Sequence, residues 1–202
     1  MPASRLADGL LRVSPSRAEL MSMALPLYYT AEMVRALPDD GKRYETVHGE
    51  LLVTTAPRGL HQEVVFRLAK LLDAYAAPLG RGHVMLSPAD ISWGVDILVQ
   101  PDIFVVSLDE ARTMDWSFMK SLQLAVEVLS PSSSRADRFT KRRLYQEVGV
   151  PFYWVVDADQ HFVEVWTPDA TFPHFERESL IWHPVGARDP LRISLHTLFQ
   201  PL

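Results

Sequence analysis

Apolar and polar positions along this chain repeat with two periods, and the switches between them outline its elements. Thr30 can cap a short helix through Leu37, which Pro38-Asp39-Asp40-Gly41 ends. Residues 43–47, the turn His48-Gly49 and residues 50–55 read as a hairpin. Val64, Val65, Leu68, Leu71, Leu72 and Tyr75 then recur at helical spacing, predicting a helix over 61–77 that Pro78 stops. Strand-like runs follow at 83–86, 89–93, 98–106 and 122–129, with 108–121 a loop holding one helical turn. A second helix begins within 132–136, where a serine can cap, and leaves at Gly149. Residues 152–157 and 162–166 form a hairpin, and weaker strands are predicted at 179–182 and 191–195. Residues 1–26 read as an extension and 27–202 as a single domain. The order strands, helix, strands, helix, strands predicts an α/β or α+β fold, a mixed central β-sheet flanked by helices.

Three positions break the apolar pattern in a way that suggests chemistry. In the run 122–130, alternation puts Gln123, Ala125, Glu127 and Leu129 on one strand face and Leu122, Leu124, Val126 and Val128 on the other. The second face is aliphatic and belongs to the core, so Glu127 points across the sheet. A buried glutamate is rare unless it is paired or holds a metal. Asp102 follows Pro101 inside another apolar run, and a proline in a sheet marks an edge, a strand start or a bulge that can re-aim a side chain. On the second helix Asp137, Lys141, Leu144, Tyr145 and Val148 fall on one face, with Arg138 and Arg142 pointing elsewhere.

Each position also has a plainer reading. Asp102 could be a turn or cap aspartate, and Glu127 one half of a structural ion pair. Lys141 could snorkel, or pair with Asp137 for ~0.2–0.5 kcal/mol. Taken together they fit one chemistry. Hard oxygen ligands such as Asp102 and Glu127 suit Mg²⁺ or Mn²⁺, and a nearby ammonium can orient water and offset developing negative charge.

Composition narrows the classes. The chain has no cysteine, which excludes disulfides and thiolate zinc sites and makes a cytoplasmic location the expectation. No run reaches the roughly 18 apolar residues of a membrane span. A formal net charge of -5 argues against indiscriminate coating of nucleic acid, whose affinity comes largely from phosphate neutralisation. Arg135, Arg138, Lys141, Arg142 and Arg143 nevertheless cluster, either as a solvated helix face or as a track for a phosphate backbone.

Tyr44-Glu45, Gly49-Glu50, His61 opening a helix, Ser87-Pro88, Pro101-Asp102, Val126-Glu127-Val128-Leu129-Ser130-Pro131, Asp137, Lys141, Tyr145, Gly149-Val150 and Tyr153-Trp154-Val155-Val156-Asp157 occur in that order. Over residues 27–200 this resembles the Uma-type putative restriction endonuclease family of the PD-(D/E)XK nuclease superfamily. The resemblance implies a restriction-endonuclease-like core and Mg²⁺-dependent hydrolysis of nucleic acid, with DNA as the expected substrate. It makes Asp102 and Glu127 the motif carboxylates and the carbonyl of Val128 a further ligand. Glu45, Glu50 and His61 belong to the pattern; Glu50 and His61 are taken as candidates, although His61 shares a face with Val65, Leu68 and Leu72. The superfamily usually carries lysine two positions after the glutamate, and here that position is Leu129, which makes Lys141 the candidate. Two alternatives stand beside a nuclease: a non-catalytic nucleic-acid-binding module, and a protein-assembly role as a homodimer through the aromatic hairpin around Trp154 and Trp166.

Overall fold

The computed structural model describes residues 28–80 and 82–201, so the extension expected over 1–26 lies outside the described residues. Helix α1 (Ala31–Arg35) is capped by Thr30, whose side chain accepts from the Met33 N–H. Strands β1 (Arg43–Val47) and β2 (Glu50–Thr54) pair antiparallel across His48-Gly49. Both turn residues have positive φ, 49° and 81°, as a tight two-residue hairpin requires. Strands β4 (Ile91–Gly94) and β5 (Ile97–Val99) complete a four-stranded sheet in the order β2-β1-β5-β4.

A larger sheet lies beside it. Its strands are β3 (His83–Leu86), β6 (Ile103–Val106), β7 (Leu124–Val128), β8 (Tyr153–Asp157), β9 (Phe162–Trp166) and β10 (His174–Glu176), in the order β10-β9-β8-β7-β6-β3. Among the described residues only β7 and β8 pair parallel, because the chain between them crosses over through a helix. This mixed sheet, with helices against it, is the predicted architecture; a short helix, α3 (Leu108–Arg112), follows β6. A two-stranded ribbon of β11 (Ser179–Trp182) and β12 (Leu191–Ser194) follows, then α5 (Leu195–Leu198).

The long helix α2 (Gly59–Leu79) lays Val64, Val65, Leu68 and Leu72 on one face of the large sheet, against Leu124, Val126, Val128 and Trp154. Ala125 and Leu129, on the Glu127 side of β7, pack into a second core with Phe104, Leu144, Tyr145 and Tyr153. All five residues of β7 are buried, so Glu127 is buried with them. Among the described residues no helix is long and apolar enough to cross a membrane.

Several boundaries differ from the sequence reading, each for a physical reason. The run 98–106 is two strands, because Pro101 offers no N–H to a ladder and the chain changes sheets there, leaving β5 to enter β6. Pro78 sits inside the last turn of α2, where the single lost backbone bond is outweighed by the packed face, and Gly80 (φ 59°) ends the helix. Strand β10 carries no apolar alternation and went unpredicted. Trp154 and Trp166 are consumed by the chain's own core, so the aromatic hairpin offers no homodimer surface at those residues.

Candidate active site

The change of sheets at Pro101 places Asp102 between β5 and β6, beside the end of β7. Its Oδ1 accepts from Arg43 Nη1 at 3.0 Å, while Oδ2 accepts the Val128 N–H at 2.9 Å and lies 3.1 Å from His61 Nε2. Burial works to raise this carboxyl, yet His61, Arg43 and the Val128 amide together hold it below the ordinary aspartate value. The same amide shows why the strand end matters: Val128 orients Asp102 through its backbone.

Glu127 is 2% exposed, and its Oε1 accepts from Lys141 Nζ at 3.1 Å and from the Tyr145 hydroxyl at 3.3 Å. Burial pushes its carboxyl well up; Lys141 pulls it down, and Asp137, Asp102 and Glu45 push it up again. The lysine reaches this point because the second helix opens as a π-helical stretch (Ala136–Lys141) before continuing as α4 (Arg142–Glu147). The wider turn keeps Asp137 and Lys141 on the sheet-facing side together with Leu144 and Tyr145.

Lys141 is 1% exposed and enclosed by three carboxylates: Glu45 Oε2 at 2.8 Å, Glu127 Oε1 at 3.1 Å and Asp137 Oδ1 at 3.3 Å. Only the contact with Glu127 has the angles of a hydrogen bond; Glu45 Oε2 and both Asp137 carboxylate oxygens accept none. Glu45 uses its other oxygen to accept the Gln100 N–H at 2.7 Å, which ties β1 to the Pro101 crossover.

Asp102, Glu127, Lys141 and His61 therefore converge on one cavity of about 560 Å³, with Arg43 also in its wall. Glu50 does not join them. It is exposed beside the hairpin turn, paired with Val47 at the far end of β1 from Arg43, and Glu45 occupies the buried position instead. Arg43 was missed by sequence reasoning. The signal was present in β1, where Arg43 and Glu45 alternate with Tyr44 and Thr46 on the face that also carries Val47. The arginine cluster is not a continuous phosphate track: Arg138 binds Asp157 and Glu164 at 2.9 and 2.6 Å, and Arg142 lies over the Trp166 ring.

The donor chemistry suits a divalent cation. Four carboxylates, Asp102, Glu127, Glu45 and Asp137, face two fixed cations, Lys141 and Arg43, with His61 beside Asp102, so carboxylates outnumber cations in the site. Glu45 and Asp137 share the Lys141 ammonium with Glu127, and Glu45 Oε2 and both Asp137 oxygens accept no hydrogen bond, the local mark of that excess. Among the described residues no three acidic or histidine side chains form a ready-made metal cage. Mg²⁺ needs none, since it is commonly held by one or two carboxylates together with water and substrate phosphate.

Residues 31–184 match the Uma2 family, described as "Putative restriction endonuclease". Among solved structures, a "putative nuclease belonging to DUF820" from Anabaena variabilis ATCC 29413, determined at 1.96 Å, superposes with a TM-score of 0.70 at 22% identity. The alignment covers 85% of this chain and 97% of that one, and at this identity it shows a shared fold. No curated protein matches the chain.

Proposed function

Since the chain belongs to the Uma2 family of restriction-endonuclease-like proteins, we propose that it is a nuclease that hydrolyses DNA phosphodiesters with Mg²⁺ or Mn²⁺. One observation carries this reading: two carboxylates, Asp102 at the β5–β6 crossover and Glu127 in β7, open onto one cavity with a lysine ammonium 3.1 Å from the second. Asp102 and Glu127 would hold the cation, with the Val128 carbonyl as a further oxygen ligand. When bound, the cation would polarise the phosphoryl group and lower the pKa of an attacking water.

The chain's own residues prepare that site. Arg43, His61 and the Val128 amide fix Asp102 in one orientation and keep it ionised. Lys141 and Tyr145 fix Glu127, and Lys141 supplies the positive charge that favours its ionised form against burial. Glu45 and Asp137 hold Lys141 in turn, so the ammonium cannot swing into solvent. Arg43 and Glu45 extend the candidate set, and Glu50 has no part in it.

Incubation of supercoiled plasmid with Mg²⁺ or Mn²⁺, against chelator, tests the proposal. Wild type should nick or linearise the plasmid only with metal, and Asp102→Ala and Glu127→Gln should lose activity by orders of magnitude while melting as folded proteins. Equal cleavage by wild type and Asp102→Ala contradicts it. DNA binding that ignores chelator, with no cleavage under any divalent ion, identifies the non-catalytic binding module instead.

A further inference from the structure

Four cations line the cavity wall: Arg35, Lys42, Arg43 and Lys141. A scissile phosphate needs at least one of them with donors to spare and in contact with a site carboxylate, and three fail one condition or the other. Lys141 is sealed behind Glu45, Glu127 and Asp137, so an incoming phosphate oxygen would first have to displace a carboxylate. Arg35 and Lys42 keep spare donors but stand at the rim, 50% and 46% exposed, where their ion pairs go to Asp90 at 3.1 Å and Asp40 at 2.7 Å and not to Asp102 or Glu127.

Arg43 differs from all three. Its side chain is 26% exposed, between the buried lysine and the open rim. Both of its hydrogen bonds leave from Nη1, to Asp102 Oδ1 at 3.0 Å and to the Gln100 carbonyl at 3.1 Å. Among the described residues its Nε and Nη2 donate to nothing. A guanidinium carries five N–H donors in a rigid fork that matches two phosphate oxygens, so anchoring one nitrogen leaves a pre-aimed donor edge. The guanidinium that carries that edge is anchored through Nη1 to Asp102, the carboxylate beside which the reacting phosphate has to sit.

We propose that Arg43 is a catalytic residue that contacts the scissile phosphodiester through its unused Nε and Nη2 donors while Asp102 anchors it through Nη1. The identity of the ligand rests on the nuclease reading above; the claim about Arg43 is tested separately from it. Arg43 would meet the substrate in the ground state and stabilise the charge that develops on the phosphoryl oxygens.

The experiment compares wild type, Arg43→Gln and Arg43→Lys, each first checked for a cooperative thermal transition. Binding of a fluorescein-labelled single-stranded oligonucleotide is titrated against salt with Ca²⁺ as the divalent ion, and cleavage of the same oligonucleotide is followed with Mg²⁺. Arg43→Gln should flatten the salt dependence by about 0.7, the share of one phosphate contact on a single strand. Its cleavage rate should fall about 10²–10³-fold, as when one transition-state donor is removed. Arg43→Lys should keep the wild-type salt slope but recover only part of the rate, because it retains the charge without the fork. If Arg43→Gln does not fold, a wild-type cleavage rate in Arg43→Lys overturns the proposal and a reduced rate at unchanged slope supports it. A wild-type slope and rate in Arg43→Gln overturns the role of Arg43 and leaves the nuclease reading standing. If wild type binds without cleaving, the slope alone decides. Wild type that neither binds nor cleaves this strand and also leaves supercoiled plasmid intact removes both.

Discussion

Replacing Lys141 with methionine keeps the length of the side chain and removes its charge from among three buried carboxylates. Breaking a buried ion pair from one side costs about 3–5 kcal/mol, because the remaining charge stays out of water without a partner. For a chain of this size each kcal/mol lowers the melting temperature by about 2–4 °C, so Lys141→Met should melt roughly 6–20 °C below wild type. The loss should also depend on pH. Burial already raises the carboxyls of Glu127 and Asp137, and Lys141 is the group that draws both back. Without it both rise further above their unfolded values. Such a group stabilises the fold fully below its unfolded pKa, and that contribution is lost as pH rises through the folded pKa. The deficit of Lys141→Met should therefore be widest in alkaline buffer and narrow as pH falls into the carboxylate range. Thermal melts of both proteins in chelator, at about pH 8 and about pH 5, measure it directly. A loss below about 1 kcal/mol, typical of an unremarkable substitution, would refute the reasoning, as would a deficit that does not change with pH.

Two further outcomes follow from other parts of the fold. Gly49→Ala should destabilise by at least roughly 1–2 kcal/mol, the cost of a left-handed backbone for an L residue. Its φ is 81° and a Cβ there would sit 2.2 Å from the Tyr28 ring; an unchanged melting temperature would refute this. Arg138→Ala should cost about 1–3 kcal/mol in urea unfolding, since it strips the donor shared by Asp157 and the buried Glu164, and should leave DNA affinity unchanged. A fall in affinity with no loss of stability would return Arg138 to the phosphate track.

The central features of the site could be read from the chain because they violate a pattern. Glu127 stands out inside an aliphatic strand, and Pro101 announces that the ladder fails beside Asp102. Both signals are local. Lys141 was legible from helical spacing, yet its enclosure was not, since two of the three carboxylates around it come from β1 and β7. The choice of Glu50 over Glu45 failed for a related reason. Both glutamates belong to one hairpin, and only the packing of β1 against β5 puts Glu45 inside the sheet and leaves Glu50 on the edge strand β2. Arg43 was invisible because an arginine at a strand start looks like any surface charge until the sheet change brings Asp102 to it. Helix and strand types came through well, whereas the split of 98–106 needed the knowledge that two sheets meet there.

Crystals soaked in Mn²⁺ and measured for anomalous scattering put the core of the account to its most direct test. The account predicts a peak within coordination distance of carboxylate oxygens from both Asp102 and Glu127, absent from Asp102→Ala crystals. A fully occupied peak elsewhere in the cavity, or one that survives the loss of Asp102, would contradict it.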